Sequence, residues 1–204
     1  MTRVAIITGG AQGMGAAVAR AFLGGDFTGC VLVDRNTEAL ARVQAELGPE
    51  RAAILAADLL YPGTAKAAVD LALGTFGRVD ALVNAAGTSE RASVDGVTPE
   101  AFERLFGINV RAPTFLMQEA ARAMRKTGGG VIINVSSMLA YGGPPDIGIY
   151  AGTKAALVAL SKNAANAWKR EGIRVFAINL GWVNSDGEHK LQTEFHKQPE
   201  NWAE

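Results

Sequence analysis

Short apolar runs alternate with longer segments of helical spacing along the chain. The runs are continuous rather than alternating between apolar and polar residues, which is typical of strands that are buried on both faces of a parallel sheet. We predict strands at residues 4–8, 30–34, 52–56, 79–84, 131–135 and 175–179.

The intervening segments carry apolar residues three and four positions apart, as Val18 and Phe22 do before the helix-ending pair Gly24 and Gly25. Strand–helix alternation of this kind indicates an α/β fold, a doubly wound parallel sheet between two helical layers. Ligands of such folds bind beyond the carboxyl ends of the strands. We predict helices at 14–23, 37–47, 62–76, 150–170, and one or two within 99–126.

Composition narrows the function classes. A length of 204 residues indicates a single domain, and 20 basic side chains balance 20 acidic ones without a charge block. We therefore expect no nucleic-acid partner and no membrane association. Cys30 is the only cysteine, which excludes an intrachain disulfide and favours the reducing cytoplasm. No spacing of the histidines predicts a metal site.

A glycine-rich turn separates the first predicted strand from the first helix. Gly9, Gly13 and Gly15 allow the backbone to approach a pyrophosphate, and the helix that follows offers free N–H groups and its positive dipole end. Glycine turns of this length are also common without a ligand. The position of this one, between strand and helix, favours dinucleotide binding.

Asp34 ends the second predicted strand, 19 residues after Gly15. A carboxylate there can accept hydrogen bonds from the adenosine ribose hydroxyls and would repel a 2′-phosphate. Gln12, within the glycine turn, is not basic. These residues predict NAD, while Arg35 keeps NADP open as the second choice, since arginine pairs with phosphate.

Tyr150 and Lys154 lie four residues apart on one face of a predicted helix. An ammonium near a phenol favours the phenolate and lowers the pKa of the tyrosine from about 10, which suits a general acid or base. The pair alone is common on helix surfaces. Ser137, expected just beyond the fifth strand, adds a hydroxyl that can bind a substrate oxygen at the same edge of the sheet.

Together these segments resemble the short-chain dehydrogenase/reductase family in its single-domain form, over nearly the whole chain. The resemblance implies a Rossmann-type fold with three layers. The motifs that carry it are Thr8-Gly9-x-x-x-Gly13-x-Gly15, Asp58-Leu59, Asn84-Ala85-Ala86-Gly87, Asn109, Ser136-Ser137, Tyr150-x-x-x-Lys154 and Asn179-Leu180-Gly181.

The resemblance also implies roles for individual residues. Ser137 would orient the substrate oxygen, Tyr150 would exchange a proton, and Lys154 would hold the nicotinamide ribose. Asn109 would anchor a water that relays the proton through Lys154. The expected cofactor-binding residues are Gly9, Gln12, Gly13, Met14, Gly15, Asp34, Arg35, Asp58, Leu59, Asn84, Ala85, Ala86, Gly87, Tyr150, Lys154, Gly181 and Val183.

Three departures from the family pattern concern the C-terminal part of the chain. Leu180 stands where the family usually has proline, and Asn184-Ser185 replace a common threonine. Family members usually continue with another helix and a last strand. We therefore expect residues 1–204 to form one cofactor-binding and catalytic domain that is short at its C-terminus, with 185–204 covering the substrate.

Clues to the substrate are few. The polar residues of the tail suit a polyol or sugar-derived alcohol, and apolar residues are expected to border the pocket. The tail residues are His189, Lys190, Gln192 and His196; the pocket residues are Met138, Leu139, Tyr141, Pro144, Pro145 and Trp182.

We therefore predict an oxidoreductase that moves a hydride between NAD and a secondary alcohol or ketone of a small molecule. A non-catalytic NAD-binding protein, or one inactivated by truncation, is the alternative on the same fold. An epimerase or dehydratase is disfavoured, because such relatives carry larger C-terminal substrate domains. Apolar residues on more than one side of the helices within 99–126 and 150–170 predict a homodimer or homotetramer.

Overall fold

Six strands and six α-helices alternate in the computed structural model, which describes residues 2–183 and residue 193. The strands are β1 Val4–Thr8, β2 Gly29–Asp34, β3 Ala52–Ala56, β4 Ala81–Asn84, β5 Gly130–Ser137 and β6 Ile173–Leu180. The helices are α1 Gly13–Leu23, α2 Thr37–Leu47, α3 Thr64–Phe76, α4 Pro99–Phe106, α5 Ala112–Met124 and α6 Gly148–Trp168.

The strands form one parallel sheet in the order β3-β2-β1-β4-β5-β6. This order confirms the doubly wound parallel fold. It reverses direction between β1 and β4, the point at which such sheets open a crevice for ligands. Thr8 is paired with Asn84 there, which brings the glycine turn after β1 beside the segment that follows β4.

Each face of the sheet has its own apolar core, which confirms the three layers. Ile7 and Leu32 pack with Leu40 of α2 on one face, where α1 also lies. Ile6 and Leu82 pack on the other face against α3, α5 and α6. All five side chains are fully buried, and each such burial stabilises the fold by about 1.5–3 kcal/mol.

Several element boundaries differ from the sequence prediction. The predicted helical segment 99–126 is two α-helices joined by a π-helical turn, Gly107–Arg111. Ser137 was expected beyond the fifth strand, but it is the last residue of β5 because it pairs with Leu180 of β6. No helix in the described part of the chain is both long and apolar enough to cross a membrane.

A buried chain of hydrogen bonds fixes α6 against the sheet. Asn84 Nδ2 donates to Asn134 Oδ1 at 2.8 Å, and Asn134 Nδ2 donates to Ser161 Oγ at 2.8 Å. Ser161 in turn donates to the carbonyl of Leu157 at 2.6 Å. These bonds satisfy polar groups for which burial alone would be unfavourable.

Candidate active site

The turn after β1 is too tight for side chains at two of its glycines. Gly9 has a φ of +70°, and a Cβ there would lie 3.1 Å from the Cα of Ala86. A Cβ on Gly15 would lie 2.2 Å from the carbonyl oxygen of Gly9. Gly13 also has a positive φ, +50°, yet a Cβ there would meet nothing within 4 Å. The turn is therefore packed on the side of the sheet and open at Gly13.

The first turn of α1 lacks the side-chain cap that α2 and α4 have. In α2, Asn36 accepts a hydrogen bond from the backbone N–H of Ala39, and in α4 Thr98 does so from Ala101. Gln12 makes no such bond at the start of α1. The N–H groups there and the helix dipole suit an anion, which fits the pyrophosphate of a dinucleotide.

The segment after β4 is bound directly to the glycine turn. Thr8 Oγ1 accepts a hydrogen bond from the backbone N–H of Ala86 at 3.1 Å. Asn84, at the end of β4, is buried and donates into the sheet, as described above. The predicted residues 84–87 therefore lie beside Gly9, where β1 and β4 end.

Asp34 lies at the carboxyl end of β2, half-buried, as the sequence predicted. One carboxylate oxygen accepts the N–H of Asn36 at 3.0 Å, and the other faces the N–H of Ala11 at 3.4 Å. Each oxygen keeps a lone pair for a further donor, which fits a pair of ribose hydroxyls. Arg35 is exposed next to it.

Asp58 and Leu59 form a turn between β3 and α3 at the same edge. Asp58 Oδ1 accepts the N–H of Leu60 at 2.8 Å, and its carbonyl accepts the hydroxyl of Thr64 at 2.7 Å. The carbonyl of Asp34 accepts the N–H of Ala57 at 2.9 Å, which joins this turn to β2. The turn therefore lies where the adenine end of a dinucleotide was expected.

Lys154 is 5% exposed and carries its amine into the interior. Nζ donates to the carbonyl of Val135 in β5 at 2.8 Å and lies 5.6 Å from the centroid of the Tyr150 ring. Burial lowers the pKa of Lys154 to about 8. The amine remains mostly protonated at neutral pH and places a cation close to Tyr150.

Ser137 lies two residues after Val135, the residue of β5 whose carbonyl binds Lys154. It is largely buried at the carboxyl end of β5, and its Oγ accepts the N–H of Leu139 at 3.1 Å. Ser136 donates to the carbonyl of Lys154 at 3.2 Å, which holds α6 against the end of the strand. The structure thus brings Ser137, Tyr150 and Lys154 together at one edge of the sheet.

Asn109 lies in the π-helical turn between α4 and α5 and is 1% exposed. Its Oδ1 accepts the N–H of Thr88 at 2.9 Å, and its Nδ2 donates to the carbonyl of Thr88 at 2.8 Å and to Thr153 Oγ1 at 3.1 Å. Both amide hydrogens are thus bound to protein atoms. The water relay expected of Asn109 stays a prediction.

The other predicted positions divide into two groups. Gly181 and Val183 are exposed beyond the end of β6, and Met138, Tyr141 and Trp182 are exposed at the same edge of the sheet. Tyr141 accepts a hydrogen bond from Asn179 Nδ2 at 3.1 Å. Of the other predicted pocket residues, Leu139 is half-buried, and Pro144 and Pro145 are exposed before α6. Six positions lie outside the described residues: Asn184, Ser185, His189, Lys190, Gln192 and His196.

Three threonines contribute contacts that the sequence analysis did not assign. Thr8 opens the glycine motif itself, and Thr88 and Thr153 lie next to the motif residues Gly87 and Lys154. Their proximity to the motifs was the sequence feature that could have identified them as site residues. The bonds themselves join residues 21, 44 and 78 positions apart, which no local pattern indicates.

Comparison with known proteins agrees with this geometry. The family described as "short chain dehydrogenase" matches residues 3–195. The chain belongs to the short-chain dehydrogenase family. Its members use a nicotinamide cofactor, so the protein is an oxidoreductase on a nucleotide-binding Rossmann-type fold, as the sequence predicted.

Relatives and solved structures cover most of the chain. It is 39% identical to a sorbitol dehydrogenase of Cereibacter sphaeroides and 35% identical to a galactitol 2-dehydrogenase of Agrobacterium fabrum; each match covers 92% of this chain and 72% of the relative. A 3-ketoacyl-(acyl-carrier-protein) reductase of Brucella melitensis, complexed with NADH, superimposes with a TM-score of 0.84 at 34% identity, covering 90% of this chain and 77% of that one.

Proposed function

We propose that this protein is an NAD-dependent dehydrogenase of secondary alcohols, with polyols or sugar-derived alcohols as its substrate class, working reversibly on the matching ketones. The observation that carries the proposal is the buried amine of Lys154, which lies 5.6 Å from the centroid of the Tyr150 ring and is bound to β5, the strand that ends at Ser137. The similarity to sorbitol and galactitol dehydrogenases supports the substrate class.

Tyr150 is the general acid and base of the proposed reaction. In alcohol oxidation its phenolate takes the proton of the substrate hydroxyl, and in ketone reduction its phenol returns a proton to the carbonyl oxygen. The nearby ammonium of Lys154 stabilises the phenolate in this proposal. Lys154 is 5% exposed, so little water screens its charge.

Ser137 orients the substrate in this proposal. Its Oγ already accepts one hydrogen bond, from Leu139, so its own hydrogen remains for the substrate oxygen. The glycine turn, Asp34 and Lys154 hold the cofactor, which supplies the hydride acceptor when bound. The protein contributes position and charge rather than redox chemistry of its own.

Asp34 decides the choice between the two nicotinamide cofactors. Its carboxylate accepts ribose hydroxyls and repels a 2′-phosphate, so NAD is expected to bind more tightly than NADP. The NADH complex of the Brucella melitensis reductase is in keeping with this choice. Fluorescence titrations with both cofactors check it, and equal dissociation constants would contradict it.

The deciding experiment is Tyr150→Phe, which removes one oxygen and keeps the ring. A panel of polyols, sugars and simple secondary alcohols is first screened for cofactor reduction by the wild type. On the best substrate, we expect kcat of the variant to fall by about 10²–10⁴-fold, the general acid–base contribution. Its dissociation constant for NAD should stay close to that of the wild type.

Tyr61→Phe is the matched control, because Tyr61 is 69% exposed and is not part of the Ser137, Tyr150 and Lys154 cluster. It should keep the wild-type rate. A Tyr150→Phe variant that keeps most of its activity would reject the mechanism. A wild type that binds NAD and oxidises nothing in the panel would favour the binding-only alternative.

A further inference from the structure

One buried hydroxyl joins the π-helical turn to the first turn of α6. Thr153 is fully buried, and its Oγ1 donates to the carbonyl of Tyr150 at 2.7 Å while accepting from Asn109 Nδ2 at 3.1 Å. A hydroxyl has one hydrogen to give, and the bond to Tyr150 uses it. Thr153 can therefore meet Asn109 only as an acceptor.

The backbone of Thr88 and the hydroxyl of Thr153 together fix which way the amide of Asn109 faces. Its Oδ1 must face the backbone N–H of Thr88, and its Nδ2 must face the carbonyl of Thr88 and the hydroxyl of Thr153. A flipped amide would set donor against donor at the N–H of Thr88. Without the hydroxyl, one amide hydrogen of a residue that is 1% exposed would lose its partner.

The backbone around Gly87 links Asn109 to the amine of Lys154. A Cβ placed on Gly87 would lie 3.3 Å from Asn109 Oδ1 and 3.5 Å from Lys154 Nζ, so both side chains end beside Gly87. Asn109 binds the next residue of that backbone, Thr88, and Lys154 follows Thr153 in α6. A shift of Asn109 therefore moves the surface against which Lys154 packs.

We propose that Thr153 is a positioning residue for the reaction. Its hydroxyl holds Asn109 and the start of α6 in the arrangement that sets Lys154 beside Tyr150. This inference rests on the proposed function, since it assumes that Tyr150 and Lys154 carry the proton transfer. Thr153 touches neither substrate nor cofactor in this account.

The test is Thr153→Val, which replaces the hydroxyl by a methyl of similar size. We expect kcat to fall about 3- to 10-fold, the equivalent of one hydrogen bond lost from the active geometry. The pH at which kcat is half-maximal for alcohol oxidation should rise, because a displaced Lys154 stabilises the phenolate less. The dissociation constant for NAD should change less than kcat. Thr153→Ser restores the hydroxyl and should return both kcat and the pH profile toward wild type.

Ser161→Ala is a matched control on the same helix. Like Thr153, Ser161 is buried, accepts from an asparagine Nδ2 and donates to a helix carbonyl, at 2.8 Å and 2.6 Å. Its partners are Asn134 and Leu157, away from Tyr150. Ser161→Ala should lower thermal stability about as much as Thr153→Val does, yet leave the pH profile unchanged. If the two variants changed the pH profile of kcat equally, Thr153 would have only a structural role.

A second readout requires no turnover. In the unliganded protein, the side-chain amide protons of Asn109 should exchange slowly with solvent in the wild type and in Thr153→Ser, and much faster in Thr153→Val. Unchanged exchange would overturn the proposal even if the substrate were still unknown. If Tyr150→Phe loses activity while Thr153→Val keeps the wild-type rate and pH profile, only the positioning role fails; if Tyr150→Phe stays active, the proposed function itself fails.

Discussion

Lys154 keeps an ammonium group where almost no water reaches it. The side chain is 5% exposed, and its amine donates a hydrogen bond to a neutral acceptor, the carbonyl of Val135. Burial lowers the pKa of Lys154 from 10.5 to about 8, so the folded protein binds this proton less tightly than the unfolded chain does. A cationic group whose pKa is lowered by folding destabilises the folded state at low pH, where it is charged, and no longer does so at high pH, where it is neutral in both states.

We therefore expect Lys154→Met to stabilise the unliganded protein at neutral pH. The free energy of unfolding of Lys154→Met should exceed that of the wild type by on the order of 3 kcal/mol at pH 7. This difference should be about 2 kcal/mol smaller at pH 9.5, because the wild type becomes more stable as Lys154 loses its proton between pH 8 and pH 10.5. Urea denaturation at both pH values measures this.

Lys162→Met changes an exposed lysine of the same helix and should leave the pH dependence of stability as it is in the wild type. A Lys154→Met variant less stable than wild type at pH 7 would show that its hydrogen bond to β5 outweighs the desolvation of its charge. A Lys154→Met variant more stable than wild type would mean that Lys154, a residue of the proposed active site, lowers the stability of the fold.

At the scale of elements, the glycine turn and the start of α1 form one unit. Gly15→Ala would place a methyl carbon 2.2 Å from the carbonyl oxygen of Gly9, so the turn must open. We expect this variant to lose about 1–3 kcal/mol of stability, as overpacked sites do, and to bind NAD more weakly. Thermal melts with and without NAD give both quantities.

Gly74 provides the opposite case. It lies in α3, where a Cβ would meet nothing within 4 Å. Gly74→Ala should therefore stabilise the protein by about 0.4–1 kcal/mol, through the lower entropy of the unfolded chain, and leave NAD binding unchanged. If Gly15→Ala and Gly74→Ala changed stability and NAD binding in the same way, the turn after β1 would have more space than its geometry indicates.

The elements themselves were largely predictable. Continuous apolar runs identified β1 and β3 with their observed bounds, and helical spacing did the same for α2. Each of these elements is delimited by glycine or polar residues close in sequence. The motifs of the candidate site were also visible, because the family places them in a fixed order along the chain.

What the sequence left out depends on contacts between distant segments. The π-helical turn of Asn109 is fixed by Thr88, 21 residues earlier, and the helical spacing runs through it without interruption. β5 extends to Ser137 only because Ser136 and Ser137 pair with β6. Two consecutive serines do not by themselves predict a strand, so Ser137 was expected just beyond the end of the strand.

At the scale of the whole molecule, three helices present apolar side chains to solvent. Phe102 of α4, Phe115 of α5 and Leu160 of α6 are 38%, 48% and 36% exposed, whereas Met117 and Leu157 on the same helices are buried against the sheet. Large exposed apolar residues on neighbouring elements are typical of an interface between copies of a chain.

We therefore expect at least a dimer at micromolar concentration, measured by light scattering on the purified chain. Phe115→Asp should shift the mass toward that of the 21.3 kDa monomer, because a charge would be buried in the interface. Val94→Asp, at a position that is 76% exposed in the loop before α4, should leave the assembly intact. A monomeric wild type would contradict the expectation.

The central place of β1 in the sheet also has a consequence for how the protein is made. Ala5 pairs with Cys30 on one side and with Ala81 on the other, so its second neighbour leaves the ribosome 76 residues after it. At about 5–20 residues per second, that is a wait of roughly 4–15 s. Throughout it, one edge of a strand whose five residues all end up buried has no partner from its own chain. The nascent chain therefore passes through an aggregation-prone stage during synthesis, and we expect chaperones to bind it at that stage.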